Sequence, residues 1–240
     1  MYGWRAKIGV LVPCVNTTTE IEFNFLASRI PGVTIHSARM HLNLDDTLTK
    51  KGLLDMHSSA IEKTIPELAH ANVDVIVFAC TSGSFVGGRA WDLSTIDEIS
   101  QKTGVQAITT SSALLATLDH FAVESVALGT PYDKTITNLG QSFLEEAGYD
   151  VVESRALDCI KSIVNDNRFT LAYDLGREVD KPNADCVFIS CTQLPTLKIV
   201  RELEGDIGKP VFTANLVSFW YALKVLSIKF TEPEFGILFS

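Results

Sequence analysis

Two cysteines in this chain occupy positions where a thiol can do chemistry. Cys80 and Cys191 each end an apolar run, and each is followed by a threonine. Residues 74–81 read DVIVFACT and residues 185–192 read DCVFISCT, so both segments begin with Asp and end in Cys-Thr. Unrelated core cysteines seldom occupy matching positions of a repeat, whereas thiols serve well as acids, bases and nucleophiles. The spacing therefore predicts a pair of reactive thiols.

Two thiols that face one substrate support a particular kind of reaction. One thiolate can remove a proton beside a carboxylate while the opposite thiol returns one, which inverts the carbon centre. Alternatively, one thiolate adds to a double bond, rotation follows, and elimination gives the other geometric isomer. Neither route needs a cofactor, and we expect none. The sequence has no CxxC pair, no Cys/His group with zinc-site spacing and no phosphate-binding loop.

Small hydroxyl residues follow both cysteines and are candidates for substrate binding. Thr81 and Ser82 follow Cys80, and Thr192 follows Cys191. Backbone N–H groups at the end of a strand, where a helix or turn begins, bind anions and lower the pKa of a thiol. The segments that carry these three residues are therefore expected to be able to bind an anion.

Two loops add polar candidates, each with a structural alternative. Asn16 lies in a polar segment that can cap a helix, and the same unpaired amides can bind an anion. Tyr132 occupies the equivalent loop of the second half, either as a packing residue or as a hydrogen-bond donor to a carboxylate. Ser111 and Asn215 are interpreted first as helix N-caps.

The elements that must position these residues follow an α/β pattern. Short β-branched runs alternate with longer amphipathic segments, which is typical of parallel sheets covered on both faces. Predicted strands are 7–12, 33–40, 73–79, 106–110, 125–129, 151–154, 186–190 and 210–213. Predicted helices are 18–28, 53–71, 94–103, 111–120, 134–147, 169–179, 195–204 and 216–226.

Three correspondences in the same order relate the two halves of the chain. Residues 8–13 match 126–131, residues 74–81 match 185–192, and residues 104–109 match 208–213. We therefore predict an α/β protein of two pseudo-symmetric Rossmann-like lobes, each with a mainly parallel sheet flanked by helices. The first lobe spans 1–115, with residues from about 214 to 240 packing back onto it, and the second spans 116–213. Ligands bind beyond the carboxyl ends of such strands, so the active site is expected in the cleft between the lobes.

Composition and charge exclude several functions. The net charge of −9, from 20 basic and 29 acidic side chains, argues against nucleic-acid binding. No apolar run reaches the roughly 18 to 20 residues of a membrane-spanning helix, and the N-terminal residues lack the pattern of a secretory signal. We expect a cytoplasmic protein without membrane contacts. We also expect a homo-oligomer, although the apolar tail 235–239 can equally fold back on its own chain.

With these residues identified, the chain resembles the aspartate/glutamate racemase superfamily, and within it the branch of maleate cis-trans isomerases and arylmalonate decarboxylases. The resemblance rests on segments 12–18, 79–85, 130–132, 190–192 and 208–211. For the isomerases it implies that Cys80 is the nucleophile and Cys191 the proton source, with Asn16 and Tyr132 binding a substrate carboxylate.

The decarboxylase branch differs at the first thiol. There the resemblance implies carboxylate binding by Thr81, Ser82 and Tyr132, proton donation by Cys191 alone, and glycine in place of Cys80. The presence of Cys80 favours isomerisation or racemisation of a small carboxylate or dicarboxylate over decarboxylation, which stays the enzymatic alternative. A non-catalytic small-molecule binding protein is the alternative from another class.

One segment departs from the isomerase pattern. Where those enzymes carry Asp-Asn after the sixth strand, this chain has Lys161-Ser162, followed by a short loop with Asn165 and Asn167. The contact to a second carboxylate is therefore expected to differ.

Overall fold

Two parallel sheets of four strands form the framework of the protein. The computed structural model describes residues 2–43, 49–160 and 169–240. The first sheet has the order β2-β1-β3-β4, with β1 Ala6–Pro13, β2 Val33–Met40, β3 Val75–Phe78 and β4 Ala107–Thr109. The second has the order β6-β5-β7-β8, with β5 Ser125–Thr130, β6 Asp150–Ala156, β7 Cys186–Ile189 and β8 Val211–Thr213. All pairings between these strands are parallel, and the identical order confirms the predicted pair of α/β lobes.

Helices alternate with the strands and cover the sheets. The described α-helices are α1 Thr19–Ser28, α2 Lys50–Ser59, α3 Ile65–Ala69, α4 Thr81–Thr103, α5 Thr110–His120, α6 Lys134–Glu146, α7 Phe169–Val179, α8 Val200–Ile207 and α9 Ala214–Val225. A π-helical turn, Ala60–Thr64, joins α2 to α3, and two 3₁₀ turns, Pro233–Phe235 and Ile237–Phe239, follow α9. Every residue of β3 and β7 is buried, as expected for central strands covered on both faces. Within the described parts of the chain, none of the helices combines the length and the apolar character needed to span a bilayer.

The repeated aspartates have the same structural role in both lobes. Oδ2 of Asp74 accepts a hydrogen bond of 2.7 Å from the backbone N–H of Lys7, at the start of β1. Oδ2 of Asp185 accepts from the N–H groups of Glu124 and Ser125, at 2.9 and 2.8 Å, where β5 begins. Each carboxylate thus joins a central strand to its neighbour, which explains why both repeats begin with Asp.

Helix α4 is much longer than the predicted helix 94–103, because it begins directly after Cys80. Its first turns are rich in glycine and hydroxyl residues, which have low helix propensity, and this concealed the helix in the sequence. Gly88 has φ +78° and kinks the helix, while a Cβ at Gly87 would collide with the Trp91 ring. The glycines therefore allow α4 to bend where it passes its own tryptophan.

The predicted helix 195–204 begins late, at Val200. Residues 191–199 instead form a series of turns, which we call the 191–199 loop. Backbone N–H groups of this loop bond to a side chain from another part of the chain, as described below. The sequence pattern alone does not reveal that these N–H groups bond to a distant side chain and not within a helix.

The C-terminal part of the chain folds back on the protein. Helix α9 packs against α5, and the ring of Phe239 lies 6.5 Å from that of Phe219. The backbone N–H of Glu232 donates a hydrogen bond of 2.7 Å to the carbonyl oxygen of Phe239. The division into lobes at 115/116 and 213/214 stays a prediction.

Candidate active site

The two predicted catalytic cysteines follow equivalent strands and are both buried. Cys80 comes two residues after the end of β3, and Cys191 comes two residues after the end of β7. Their side chains are only 3% and 6% exposed. The hydroxyl of Thr192 donates a 3.1 Å hydrogen bond to the carbonyl oxygen of Ala79, so the two cysteine segments are in direct contact.

Cys80 is the N-cap residue of α4, and its thiol lies at the start of that helix. Its Sγ is 3.7 Å from Oγ of Ser82. Burial raises the pKa of the thiol, while hydrogen bonds from Ser82 and the N–H of Gly83 partly oppose that increase. The site therefore keeps Cys80 protonated at rest, with donors already placed for a thiolate.

Cys191 has an unusual backbone conformation, with φ +93°. Non-glycine residues rarely adopt such angles, and strain of this kind costs about 1–3 kcal/mol. Burial raises the pKa of its thiol to about 11, partly opposed by hydrogen bonds from the N–H of Gln193, the side chain of Tyr132 and the N–H of Leu194.

The two thiols interact with one another electrostatically. A negative charge on Cys80 further raises the pKa of Cys191, so the pair favours a single thiolate at a time. In that state the thiolate can act as a base or a nucleophile, and the neutral thiol can act as the acid.

Tyr132 lies close enough to both thiols to interact with each of them. It is almost completely buried, and the pKa of its hydroxyl is raised well above the usual 10 by burial and by the charges of Cys191 and Cys80. The hydroxyl therefore stays protonated and lies beside the side chains of Cys191 and Ser190. It can donate a hydrogen bond either to a thiolate or to a substrate oxygen.

Several buried hydroxyls lack hydrogen-bond partners. In the part of the chain that the structure describes, these are Oγ1 of Thr81 and Oγ of Ser111 and Ser190. Buried polar atoms are almost always paired, so the hydroxyl of Thr81, next to Cys80, is available to a ligand, whereas that of Ser190 lies beside the Tyr132 hydroxyl. Thr81 was predicted from the sequence. Ser190 was not, because it reads as the last residue of a buried strand.

Asn16 and Thr192 join the two halves of the chain by a direct hydrogen bond. Nδ2 of Asn16 donates to Oγ1 of Thr192 at 3.0 Å and to Oγ1 of Thr19 at 2.9 Å. Oδ1 of Asn16 accepts from the N–H groups of Thr18 and Thr19, both at 3.0 Å. The Asn16 amide is thus fully engaged within the protein, in the manner of a cap at the entry of α1.

The interpretation of Ser111 and Asn215 as N-caps is wrong. Thr109 caps α5 through a capping box with Ser112, and Thr213 occupies the N-cap position of α9. Asn215 instead donates to the buried carboxylate of Glu22. On sequence alone, Glu22 looks like an ordinary acidic residue in the first turn of a helix.

Two further points concern the predicted loop after β6 and the possibility of a metal site. Lys161, Ser162, Asn165 and Asn167 lie outside the described residues. Within residues 2–43, 49–160 and 169–240, no group of three or more His, Cys, Asp or Glu side chains is arranged to hold a metal ion.

Comparison with known proteins identifies the family. The model of a family described as arylmalonate decarboxylase matches residues 9–239. Maleate isomerase from Nocardia farcinica is 30% identical, with 97% of this chain and 94% of that protein covered. Maleate isomerase from Pseudomonas putida is 29% identical, with 98% and 97% covered.

A solved structure agrees over nearly the whole chain. A cysteine-to-serine mutant of the Nocardia farcinica maleate cis-trans isomerase, with a covalently bound succinylcysteine intermediate, superposes with a TM-score of 0.89. The identity is 26%, and 98% of each chain is covered. With a family model spanning nearly its full length and relatives matched from end to end, the chain belongs to the arylmalonate decarboxylase family, which confirms the predicted resemblance.

Proposed function

We propose that this protein is a cofactor-independent cysteine isomerase that interconverts the cis and trans forms of a small unsaturated dicarboxylate of the maleate type. The observation that carries the proposal is the pair of buried, electrostatically coupled thiols at equivalent strand ends. Maleate isomerases at about 30% identity over almost the full chain support the same reaction.

The reaction uses the thiolate form of Cys80, which is a minor form at rest because burial raises the pKa of the thiol. Its sulfur adds to one alkene carbon, and the electron pair of the double bond moves to the neighbouring carbon, where the adjacent carboxylate stabilises the charge. The thiol of Cys191 donates its proton to that carbon, which leaves a saturated adduct on Cys80 and a thiolate at Cys191. Donors around Cys191, including the N–H groups of Gln193 and Leu194, stabilise that thiolate.

The adduct then returns to an alkene with the other geometry. The carbon–carbon bond is now single and can rotate, after which the Cys191 thiolate removes a proton and the carbon–sulfur bond breaks. Cys80 regains its thiolate and Cys191 its proton, so the cycle closes without a net redox change. A two-cysteine racemase would use the same groups without the addition step.

For substrate binding we propose Asn16, Thr81, Ser82, Tyr132 and Thr192. Thr81 offers an unpaired buried hydroxyl, Ser82 lies beside the Cys80 sulfur, and Tyr132 offers a hydroxyl that stays protonated. Asn16 and Thr192 already bond to each other, so a substrate oxygen must replace one of their present hydrogen bonds. The hydroxyl donors therefore form the direct carboxylate site, and Asn16 and Thr192 border it.

Proton NMR in deuterated buffer tests the reaction. The panel comprises maleate, aspartate, glutamate and phenylmalonate, incubated with wild type, Cys80→Ala and Cys191→Ala. We expect loss of maleate signal and growth of the trans isomer with wild type, and a loss of at least about 100-fold in each variant, as for removal of a nucleophile or acid. Cys186→Ala, at the opposite end of β7, is the matched control and should retain activity.

The same experiment separates the alternatives. Release of carbon dioxide from phenylmalonate that survives Cys80→Gly would assign the protein to decarboxylation, with Cys191 as proton donor. Incorporation of deuterium at the α-carbon of an amino acid, dependent on both cysteines, would indicate a racemase. If no compound on the panel turns over or exchanges deuterium, isomerisation of a maleate-type substrate is contradicted, and ligand binding without catalysis becomes the better description.

We further propose that the protein acts in the cytoplasm as a homo-oligomer. Its five cysteines form no disulfide, which suits a reducing compartment. Ile21, Phe25 and Ile237 expose 70%, 39% and 42% of their surface, which suits contact with a second copy. Light scattering coupled to size-exclusion chromatography tests the assembly, and a strictly monomeric mass would contradict it.

A further inference from the structure

Glu22 has a buried carboxylate whose hydrogen-bond partners all come from distant parts of the chain. Its side chain is on α1, and the residue is 4% exposed. Oε1 accepts hydrogen bonds from the backbone N–H groups of Thr196 at 2.7 Å and Leu197 at 2.9 Å. Oε2 accepts from Nδ2 of Asn215 at 2.6 Å. All three partners are neutral donors, and two of them belong to the 191–199 loop.

Such a group is costly to bury. Removing a carboxylate from water without a cationic partner is unfavourable, and a neutral side chain of similar size avoids most of that penalty. Burial raises the pKa of the Glu22 carboxyl, while hydrogen bonds from Leu197, Thr196 and Asn215 oppose the increase. The contribution of the buried carboxylate to the structure is therefore its three hydrogen bonds, from Thr196, Leu197 and Asn215.

The contacts converge on the segment that carries Cys191. Asn215, held by Glu22, also donates to the carbonyl oxygen of Thr192 at 3.0 Å. Oγ1 of Thr19, one turn before Glu22, lies 3.0 Å from the same carbonyl oxygen. The peptide group between Thr192 and Gln193, one residue beyond Cys191, and the amides at Thr196 and Leu197 are thus fixed together. Between these anchors Cys191 adopts its strained positive φ.

We propose that Glu22 is a positioning residue for Cys191, which through Asn215 and the 191–199 loop keeps the thiol directed toward Cys80. The inference rests on the proposed function, in which Cys191 delivers a proton to the adduct on Cys80. Loss of the carboxylate releases two loop amides and one side of the Thr192 carbonyl. The backbone at Cys191 can then relax toward negative φ, which moves the thiol.

The test replaces Glu22 by Gln. Its carbonyl oxygen can still accept from the loop amides, but its NH₂ group then faces the NH₂ group of Asn215. We expect kcat to fall by about 10- to 100-fold with KM changed less than about threefold, as for a small displacement of a reacting group. The second readout is the alkylation rate of Cys191 relative to Cys80 with iodoacetamide, resolved by mass spectrometry, which should change by at least about fivefold.

Glu204 offers a matched control. Its carboxylate also accepts from two backbone N–H groups, those of Val211 at 3.0 Å and Ile237 at 2.9 Å, but it anchors β8 and the C-terminal turns. Glu204→Gln should leave both kcat and the alkylation ratio as in wild type. Asn215→Ala is the second test variant and should reproduce the effect of Glu22→Gln, with the double variant far from additive because both act through one network.

The outcomes are distinct. The inference is overturned if folded Glu22→Gln and Asn215→Ala proteins keep the wild-type alkylation ratio and kcat, or if Glu204→Gln changes the ratio equally. If Glu22→Gln does not fold, Asn215→Ala decides. If wild type turns over no substrate on the panel, the proposed function fails, while the alkylation ratio still decides whether Glu22 positions Cys191.

Discussion

The hydroxyl of Thr192 donates a 3.1 Å hydrogen bond to the carbonyl oxygen of Ala79 and accepts one of 3.0 Å from Asn16. Ala79 precedes Cys80 and Thr192 follows Cys191, so a single side chain links the two cysteine segments. We therefore expect this buried hydrogen bond to help fix the position of one thiol relative to the other.

Replacing Thr192 by Val should damage both stability and activity. The variant leaves the Ala79 carbonyl and one Asn16 hydrogen buried without partners, at a cost of about 1–3 kcal/mol. Turnover should fall at least about tenfold, since small displacements of reacting groups are costly. Thr192→Ser keeps the hydroxyl and should stay within about threefold of wild type. Urea denaturation and steady-state kinetics measure both effects, and equal losses in the two variants would contradict the proposed link.

Reactivity of the thiols should rise with pH. Burial raises the pKa of both cysteines, that of Cys191 to about 11, so only a small thiolate fraction exists near neutrality. Below such a pKa the thiolate fraction increases about tenfold per pH unit. The rate of modification of each thiol by iodoacetamide should therefore climb between about pH 7 and 9. A plateau below about pH 8 would show a thiolate already present in the resting protein and would contradict the expectation.

The strained backbone at Cys191 predicts an inverted order of stability. With φ +93°, glycine should be tolerated better than alanine, so Cys191→Gly should exceed Cys191→Ala by about 1 kcal/mol in free energy of unfolding. Cys186, five residues earlier and the first residue of β7, serves as the control. There Cys186→Gly should be less stable than Cys186→Ala, because glycine weakens a strand. Chemical denaturation of the four variants decides, and the same order at both positions would argue against strain.

The two repeated aspartates should differ in their contribution to stability. Asp185 accepts from two backbone N–H groups and Asp74 from one, so Asp185→Ala should be the more destabilising change, with losses of about 1 kcal/mol for these exposed groups. The backbone hydrogen bonds lower the pKa of Asp185. Its contribution is thus complete above about pH 4 and is lost as the pH falls through the lowered pKa. Thermal melts at neutral and acidic pH measure this, and equal losses for both alanine variants would contradict the difference.

The sequence was sufficient to predict the bounds of the helices and strands that have a strongly periodic apolar pattern. The strand predicted at 33–40 coincides with β2, and the helix predicted at 169–179 coincides with α7. Repeated motifs also placed Cys80 and Cys191 at equivalent strand ends, because burial of parallel strands leaves a clear apolar signature.

Elements set by distant contacts were not predictable. The start of α4 depends on glycines that make room for aromatic rings, which lowers helix propensity where the helix is needed. The turns after Cys191 depend on Glu22, more than 170 positions earlier in the chain. A single sequence carries no sign that an acidic residue in a helical first turn faces inward, so its partners emerge only from the fold.

The near-complete burial of both thiols also affects how readily oxidants can reach them. Cys80 and Cys191 expose only 3% and 6% of their surface, whereas Cys14 is partly exposed. Oxidation and mixed-disulfide formation require access as well as thiolate character. A bulky reagent such as glutathione disulfide therefore reaches Cys14 before either partner of the pair. The burial that we propose to suit a small dicarboxylate should therefore also protect both thiols from large oxidants.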